Sequence, residues 1–254
     1  MIPVKYLKRN SGYEINGLWY PRVTSICKII AKPGIEKWLA NQGSFYAMQK
    51  KRKKITGWGT LVHEVVEKIL LGRMPQIDSD ICPSIDAFLE WMKKHRIDVF
   101  GVEKRVTSKK HSYSGTLDVL GEIDGKVGIL DLKTSSSIWD DHFIQTAAYF
   151  EAYNEKFSKK AETSWILRID QYQECSICGA KKREKSGEPV IKEGKKRCNH
   201  KWKKVKGVCE LREASNIKRD LDTFLTAKKL WELSNRSWLS RVRNYPNKLK
   251  YQTN

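Results

Sequence analysis

Hydrophobic residues recur along the chain at two periods, one helical and one of strand type. The predicted helices lie at residues 26–49 (with a break at 33–34), 58–71, 83–94, 138–154 and 215–240. The predicted strands lie at 100–107, 164–169 and 208–212, with a short hairpin at 12–20 and a long one at 114–134. The order helix, three strands, helix, strand predicts an α/β fold with a mixed central sheet flanked by helices.

The long hairpin turns at residues 124–125, an Asp-Gly dipeptide that favours a two-residue type I′ turn between antiparallel strands. With these residues as the loop, opposed positions sum to 249. Asp118 then lies opposite Asp131, and Thr116 lies opposite Lys133. Opposed side chains share a face, as do positions two apart on one strand. The register therefore predicts that Asp118, Asp131 and Lys133 lie together.

The opposite face of this hairpin is apolar and predicts core positions. Those positions are Leu117, Val119, Leu130 and Leu132. Two facing carboxylates repel each other, so the polar face is best explained by a cation between them. Oxygen ligands without nearby Cys or His favour Mg²⁺ or Mn²⁺ over zinc. An ordinary hairpin whose Asp residues face solvent is the alternative.

Composition narrows the class of protein. The chain has 254 residues, is 40% hydrophobic and contains nine Trp, which is enough to fill a sizeable core. Its net charge of +20 indicates a polyanionic partner such as DNA, because basic side chains release the counterions condensed on nucleic acid. A membrane surface and simple solubility are the alternative explanations of this charge. No apolar run is long enough to span a bilayer. The N-terminus lacks the apolar core of a signal peptide, which predicts a soluble, cytoplasmic protein.

Polar residues on a neighbouring helix and strand are candidates for the same site. Gly59, His63 and Glu67 recur at intervals of four, so they form one stripe on the helix at 58–71. His63 is a candidate metal ligand, although a lone helical His is more often structural. Glu103 lies on the strand before the hairpin, where it supports the site or pairs with a surface Lys.

The helix after the hairpin carries two more candidates. Gln145 and Tyr149 are four residues apart and therefore share a face. From that face they could contact a base, a phosphate or Lys133. Because Tyr149 has apolar neighbours, a core aromatic is the alternative for this residue.

Four motifs in fixed order resemble the PD-(D/E)xK nuclease superfamily. They are Gly59-x-x-x-His63-x-x-x-Glu67, Gly115-Thr116-Leu117-Asp118, Asp131-Leu132-Lys133 and Gln145-x-x-x-Tyr149. The chain is similar to the branch of RecB-type exonucleases, CRISPR-associated spacer-processing exonucleases and phage nucleases. Residues 20–26 and 32–34, with Trp38, are similar to the N-terminal region of phage members. Leu117 replaces the Pro of the family name, and this change removes no metal ligand.

The resemblance implies a restriction-endonuclease-like core and a role for each motif residue. Asp118, Asp131, His63 and the backbone carbonyl of Leu132 would hold Mg²⁺ or Mn²⁺. Lys133 would position or deprotonate the attacking water and stabilise charge on the phosphorane. A Lys beside two carboxylates should stay charged, so general-base action is its less favoured role. The implied catalytic residues are Asp118, Asp131, Lys133, Gln145 and Tyr149.

A Cys-rich segment interrupts the α/β pattern before the last strand. A C-x-x-C-G turn lies at residues 175–179, and 19 residues separate its second Cys from a Cys-x-His group at 198–200. This spacing predicts a tetrahedral structural zinc site. The predicted ligands are Cys175, Cys178, Cys198 and His200, with Cys209 as the alternative fourth ligand. An iron–sulfur cluster that also takes Cys27 is the competing hypothesis.

The Cys-rich segment is strongly basic, with 12 Lys or Arg and 3 Asp or Glu between Cys175 and Val208. So polar a segment buries too little apolar surface to fold without metal. We predict that it grips the phosphates of DNA while Trp202 stacks on a base, and a purely structural insert is the alternative. The predicted DNA contacts are Lys181, Lys182, Arg183, Lys195, Lys196, Arg197 and Trp202.

These observations divide the chain into four parts. They are an N-terminal helical part of the nuclease domain (1–98), a catalytic core (99–170), an inserted basic zinc module (171–207), and a returning strand with the C-terminal helix (208–254). The expected function is metal-dependent hydrolysis of DNA, and the resemblance favours an exonuclease acting on DNA ends or single strands in replication, recombination or repair. The alternatives are a nuclease subunit of a larger DNA-processing complex, with protein partners there, and a non-catalytic nucleic-acid-binding protein on a nuclease fold.

Overall fold

The computed structural model describes residues 3–30, 44–185 and 189–247. Its helices are α1 (Val4–Ser11), α2 (Val23–Cys27), α3 (Phe45–Leu70), α4 (Cys82–Met92), α5 (Asp140–Lys156), α6 (Ile217–Ser234) and α7 (Arg236–Leu239). Its strands are β1 (Gly12–Ile15), β2 (Leu18–Pro21), β3 (Ile97–Ser108), β4 (Tyr113–Ile123), β5 (Lys126–Lys133), β6 (Thr163–Glu174), β7 (Lys181–Arg183), β8 (Val190–Lys192) and β9 (Lys206–Glu213). The predicted helix break at 33–34 and Trp38 lie outside the described residues.

A mixed sheet of seven described strands forms the centre of the fold, which confirms the predicted α/β class. β3, β4, β5 and β6 are neighbours in chain order, and β9 pairs with the other edge of β6. β5 and β6 run parallel because α5 connects them, whereas the other strand pairs of this sheet are antiparallel. The β7–β8 hairpin continues from the C-terminal end of β6 into the Cys-rich segment.

The sheet separates two hydrophobic cores. One core lies on the side of α2, α5 and α6 and includes Tyr113, Ile129 and Phe224. The other lies on the side of α3 and α4 and includes Phe88 and Leu167. Each such buried side chain contributes about 1.5–3 kcal/mol to folding. The C-terminal end of β5 is therefore held between α3 on one side and α5 on the other.

The helix predicted at 58–71 is the second half of α3, which begins at Phe45. The helix predicted at 26–49 is wrong at its start, because α2 ends at Cys27, but its last residues belong to α3. Residues 50–57, which lie between the two predicted helices, complete α3, and their Lys and Arg residues favour helix. At the other end of the chain, the single helix predicted at 215–240 is wrong. Asn235 separates α6 from α7, its side-chain amide donating to Trp231 O at 2.7 Å and accepting from Trp238 Nε1 at 2.9 Å. A helix that crosses a bilayer must be long and predominantly apolar, and none of the described helices meets both conditions.

The strand predicted at 164–169 continues to Glu174. Side-chain hydrogen bonds stabilise its polar extension: Gln171 accepts one from Ser84 Oγ at 2.9 Å and donates one to Asp80 O at 2.7 Å. The predicted insert, 171–207, therefore shares its first residues with β6 and its last residues with β9.

Candidate functional site

β4 and β5 pair in the predicted register and then separate. The observed pairs run from Ile123 with Lys126 to Val119 with Leu130, and every pair sums to 249. The ladder stops there, so the predicted pairings of Asp118 with Asp131 and of Thr116 with Lys133 are wrong. Asp118 Oδ2 instead accepts a hydrogen bond from the backbone N–H of Leu132 at 2.7 Å. The carboxylate thus takes the place of a ladder bond, and β5 continues beside β6 alone.

All four apolar positions of the hairpin are buried, as predicted, but they do not share one side of the sheet. Val119, Leu130 and Leu132 lie in the core beside α3 and α4. Leu117 lies in the core beside α5 and α6. The alternation is broken opposite Asp118, where Glu103 interrupts the pairing of β3 with β4.

Glu103 has a left-handed backbone conformation with φ of 47°. Such a conformation is unfavourable for a residue with a long side chain and costs on the order of 1–3 kcal/mol. Burial and the nearby charge of Glu103 raise the pKa of Glu67 to about 7, and the two side chains are hydrogen-bonded. The strained residue therefore contacts the polar stripe of α3, as expected of a supporting residue.

The carboxylate of Asp131 is the centre of the polar network on the α5 side. Asp131 is only 1% exposed and forms an ion pair with Lys133. Gln145 Nε2 donates to Asp131 Oδ1 at 3.2 Å and to the hydroxyl of Tyr149 at 3.0 Å. Four of the five predicted catalytic residues therefore form one connected network.

Asp118 faces α3. Its Oδ2 lies 3.9 Å from His63 Nδ1. Burial, and then the charge of Lys133, lower the pKa of His63 to about 4. His63 is therefore a neutral imidazole near pH 7, which is the form that binds metal ions.

Burial dominates the electrostatics of the two carboxylates. It raises the pKa of Asp118 to about 6 and that of Asp131 to about 6, although Lys133 lowers both. Burial lowers the pKa of Lys133, but the Asp131 and Asp118 carboxylates outweigh it and raise that pKa above its usual value. Burial also raises the pKa of Tyr149 well above its usual value. Lys133 and Tyr149 therefore keep their protons at neutral pH. The positive charge of Lys133 does not offset the effect of burial on the two carboxylates.

The glycines of the motifs allow close packing around this network. A Cβ on Gly59 would lie 2.9 Å from Thr134 Oγ1, and a Cβ on Gly115 would lie 2.4 Å from Tyr149 Cε1. These short distances let α3 approach the end of β5 and let Tyr149 pack on β4. A groove of about 540 Å³ along α3 is lined by Gly59, His63, Glu67, Glu103 and Thr134, among others.

The Cys-rich segment brings its four predicted ligands together. The ligand atoms of Cys175, Cys178, Cys198 and His200 all lie within 4.8 Å of one another. Cys175 Sγ is 3.9 Å from Cys198 Sγ, and Cys178 Sγ is 3.4 Å from His200 Nδ1. A tetrahedral zinc with Zn–S bonds of about 2.3 Å would separate its sulfurs by roughly 3.8 Å. The cluster could therefore hold a metal ion such as zinc.

The alternative ligands lie elsewhere. Cys209 pairs with Ile169 inside the sheet and packs against the α3 side core. Cys27 belongs to the opposite core. Among the residues that the structure describes, the Cys175 group is the only set of three or more Cys, His, Asp or Glu ligand atoms so close together. The iron–sulfur hypothesis that takes Cys27 therefore has no geometric support.

The backbone of the Cys-rich segment suits thiolate ligands. Gly179 (φ 72°) donates its N–H to Cys175 O at 3.0 Å and so closes the predicted knuckle turn. Desolvation opposes ionisation of Cys175, yet hydrogen bonds from Cys178, Ile177 and Lys201 N–H groups and from His200 lower its pKa to about 6. A thiolate is the form of Cys that binds zinc.

The predicted DNA contacts fall into two groups. Lys195, Lys196 and Arg197 are exposed on the loop before Cys198. The others have partners within the protein. Lys181 pairs with Glu193 at 2.7 Å, Lys182 lies 5.2 Å from the Trp202 ring, and Trp202 packs on His200 with centroids 4.7 Å apart. Trp202 thus packs against one of the four predicted zinc ligands.

Arg183 belongs to a buried ionic network that the sequence analysis missed. Asp170, fully buried, contacts Arg183 Nε at 2.7 Å, Lys185 Nζ at 3.0 Å and Arg168 Nη1 at 3.4 Å. Lys185 also donates to the carbonyl of Thr134, the residue after Lys133. The network therefore ties the β7 end of the Cys-rich segment to the site, and Arg183 is not the exposed phosphate contact that was predicted. No spacing in the sequence marks it.

The sequence motifs thus converge on one place in the fold, at the separation of β4 from β5 and between α3 and α5. No protein-family model matches this chain, and a search of curated proteins found no similar sequence. Membership of the PD-(D/E)xK superfamily therefore stays a prediction, carried by the four motifs alone.

Proposed function

We propose that this chain hydrolyses phosphodiester bonds in DNA with Mg²⁺ or Mn²⁺ on a PD-(D/E)xK-type core. The observation that carries the proposal is the pair of carboxylates, Asp118 half-buried and Asp131 fully buried, beside Lys133 where β4 and β5 separate. Burial disfavours the charged form of both acids, and a divalent cation would favour it. Metal binding would explain why two acids lie where burial opposes their ionisation.

The donor set suits a hard divalent ion. Asp118, Asp131 and the Leu132 carbonyl would supply oxygen ligands, and His63 a neutral nitrogen. The Leu132 N–H fixes the orientation of Asp118, and Gln145 fixes that of Asp131. A bound Mg²⁺ or Mn²⁺ would lower the pKa of a coordinated water and neutralise charge on the phosphate oxygens.

Lys133 has the role of an electrostatic stabiliser in this proposal. Its ammonium group stays protonated between the carboxylates, so it cannot accept a proton from water at neutral pH. A fixed positive charge in a site with little water stabilises negative charge that builds on a phosphate. Gln145 and Tyr149 act on Asp131 and are positioning residues, while the Glu67 carboxyl can exchange a proton near pH 7.

The Cys-rich segment would bind zinc and extend the DNA-binding surface. The Cys175 group supplies the ligands, and the exposed residues 195–197 supply positive charge. An exonuclease is proposed over an endonuclease from the family resemblance. The second candidate is a nuclease subunit that cuts only within a larger complex, and the third is a non-catalytic DNA-binding protein.

Cleavage of labelled linear, circular and single-stranded DNA in Mg²⁺, Mn²⁺ or EDTA tests the proposal. We expect cleavage that depends on metal, and that prefers linear or single-stranded DNA to circular duplex. Asp131→Ala should abolish cleavage and Lys133→Gln should reduce kcat by about 100- to 1,000-fold. Asp86→Ala on the exposed face of α4 and Lys126→Gln at the exposed start of β5 are the matched controls and should cleave normally.

Undiminished cleavage by Asp131→Ala would overturn the catalytic assignment. DNA binding by a pure wild-type protein that never cleaves would favour one of the other two candidates. Recovery of cleavage on addition of a cell extract, absent with Asp131→Ala, would identify the subunit of a larger complex.

A further inference from the structure

Two arginines meet on one tyrosine ring near the candidate active site. The guanidinium carbon of Arg105 lies 3.5 Å from the centroid of Tyr13, and that of Arg22 lies 4.4 Å from it. Arg105 is exposed and Arg22 is half-buried. Within the described part of the chain, neither guanidinium forms an ion pair with a carboxylate. Two positive charges therefore share one ring without a negative partner there.

Both arginines lie along the strand that leads to Asp118. Arg105 is opposite Thr116 in the ladder of β3 with β4, and its Nε donates to Thr116 Oγ1 at 3.1 Å. Arg22 is bridged in parallel to Ser114 on the same strand. Thr116 and Ser114 precede Asp118 by two and four residues, which is roughly 7 to 13 Å at about 3.3 Å per residue. The pair thus lies within the reach of a strand bound at Asp118.

The chemistry of this pair suits an oxyanion. Among the residues that the structure describes, the buried Nε of Arg22 has no hydrogen-bond partner. A guanidinium fork matches a phosphate in geometry, and stacking on an aromatic ring limits its freedom before the ligand arrives. Cation–π contacts hold the two side chains in place, yet they leave the repulsion between them uncompensated. A bound phosphate would remove that repulsion.

We propose that Arg22 and Arg105, aligned by Tyr13, bind a backbone phosphate of DNA close to the phosphate that is cleaved. The identity of the ligand rests on the proposed function, but the binding itself requires no hydrolysis. The site would hold the strand in register with Asp118 and would read no base, since a phosphate carries no sequence information.

Fluorescence anisotropy with a fluorescein-labelled oligonucleotide in EDTA tests this site without cleavage. Arg22→Gln and Arg105→Gln should each raise Kd by about 10-fold and reduce the slope of log Kd against log salt by about 1. Arg96→Gln is the matched control, because Arg96 is 82% exposed and precedes the opposite end of β3. It should bind as the wild type does. Tyr13→Phe keeps the ring and should bind normally, whereas Tyr13→Leu should weaken binding.

The phosphate site would be refuted if Arg22→Gln and Arg105→Gln both bound DNA as tightly as Arg96→Gln does, with an unchanged salt slope. Absence of DNA binding by the wild type would overturn it as well. If Arg22→Gln does not fold, Arg22→Lys keeps the charge without the fork and should bind more weakly at an unchanged salt slope. If the wild type binds DNA but never cleaves it, and the Gln variants lose binding, the phosphate site stands and only the nuclease proposal is refuted.

Discussion

The carboxylate of Asp118 accepts a hydrogen bond from the backbone N–H of Leu132 at 2.7 Å, across the gap where β4 and β5 no longer pair. This bond fixes Asp118 at the mouth of the gap. The two strands thus separate between His63 of α3 and Gln145 of α5.

Gly57 and Gly59, both in α3, differ in the space that an added Cβ atom would have. They therefore make a matched pair for substitution. A Cβ on Gly57 meets nothing within 4 Å, whereas a Cβ on Gly59 would lie 2.9 Å from Thr134 Oγ1. Ala is favoured over Gly in a helix by about 0.5–1 kcal/mol. We expect Gly57→Ala to raise stability by about that amount and to leave DNA cleavage unchanged. Gly59→Ala should lose this gain and lower kcat, because Thr134 and the end of β5 must move. Urea unfolding and cleavage kinetics measure both effects, and equal behaviour of the two variants would contradict this role of Gly59.

The stability of the metal-free protein should depend on Glu67 and pH. Burial and the charge of Glu103 raise its pKa from 4.5 to about 7 in the folded state. The folded protein therefore holds this proton more tightly than the unfolded chain, so stability is lost as pH rises from about 4.5 to 7. Glu67→Gln should be more stable than the wild type at pH 8, and the difference should vanish near pH 4. Thermal unfolding in EDTA at both pH values measures it.

Glu90→Gln is the control for this pH dependence. Glu90 is exposed, and its hydrogen bond from Lys93 lowers its pKa. Its ionised form therefore contributes stability above pH 4.5 that is lost on acidification. We expect Glu90→Gln to be slightly less stable than the wild type at pH 8, the opposite sign to Glu67→Gln. The same sign for both variants would contradict the assignment of Glu67 as a half-buried, destabilised acid.

The zinc content of the protein should depend on Cys198 and not on Cys209, although the two residues are close in sequence. Cys198 lies in the ligand cluster, and Cys209 pairs with Ile169 inside the sheet. We expect one zinc per chain by elemental analysis in the wild type and in Cys209→Ser, and loss of zinc in Cys198→Ser. Loss of the metal should expose the segment to proteolysis, since it buries little apolar surface. A brown protein that contains iron would refute zinc.

Asp170 should be essential for the attachment of the Cys-rich segment to the sheet. It is fully buried, and Arg168, Arg183 and Lys185 surround its carboxylate. Asp170→Asn removes the carboxylate partner of Arg183 and Lys185, while Arg168 keeps Glu210 at 2.9 Å. The substitution should destabilise the protein by about 3–5 kcal/mol. The exposed acid Asp98 pairs with Arg96 at 3.4 Å, and Asp98→Asn should cost less than about 1 kcal/mol. Urea unfolding of the two variants measures the difference, and similar losses would contradict the proposed importance of the buried network.

The sequence by itself determined the α/β class, the turn at 124–125 with its register, and the set of ligands Cys175, Cys178, Cys198 and His200. These depend on local chemistry: a dipeptide that accepts positive φ, alternation along strands, and the short spacing of ligands around one turn. The hydrophobic period fixes which residues are buried because burial of apolar area dominates folding. The same patterns also brought His63, Gln145 and Tyr149 to the correct faces of their helices.

Only the tertiary structure decided where β4 and β5 separate, the strained backbone of Glu103, the ionic network around Asp170 and the stacking of Arg22 and Arg105 on Tyr13. Each joins residues from different elements, and none has a characteristic spacing. Their energies depend on burial and on the distance between charges, which exist only after the chain has folded. A pair of Asp residues in one hairpin is therefore visible in the sequence, whereas the gap between β4 and β5 beside this pair belongs to the fold.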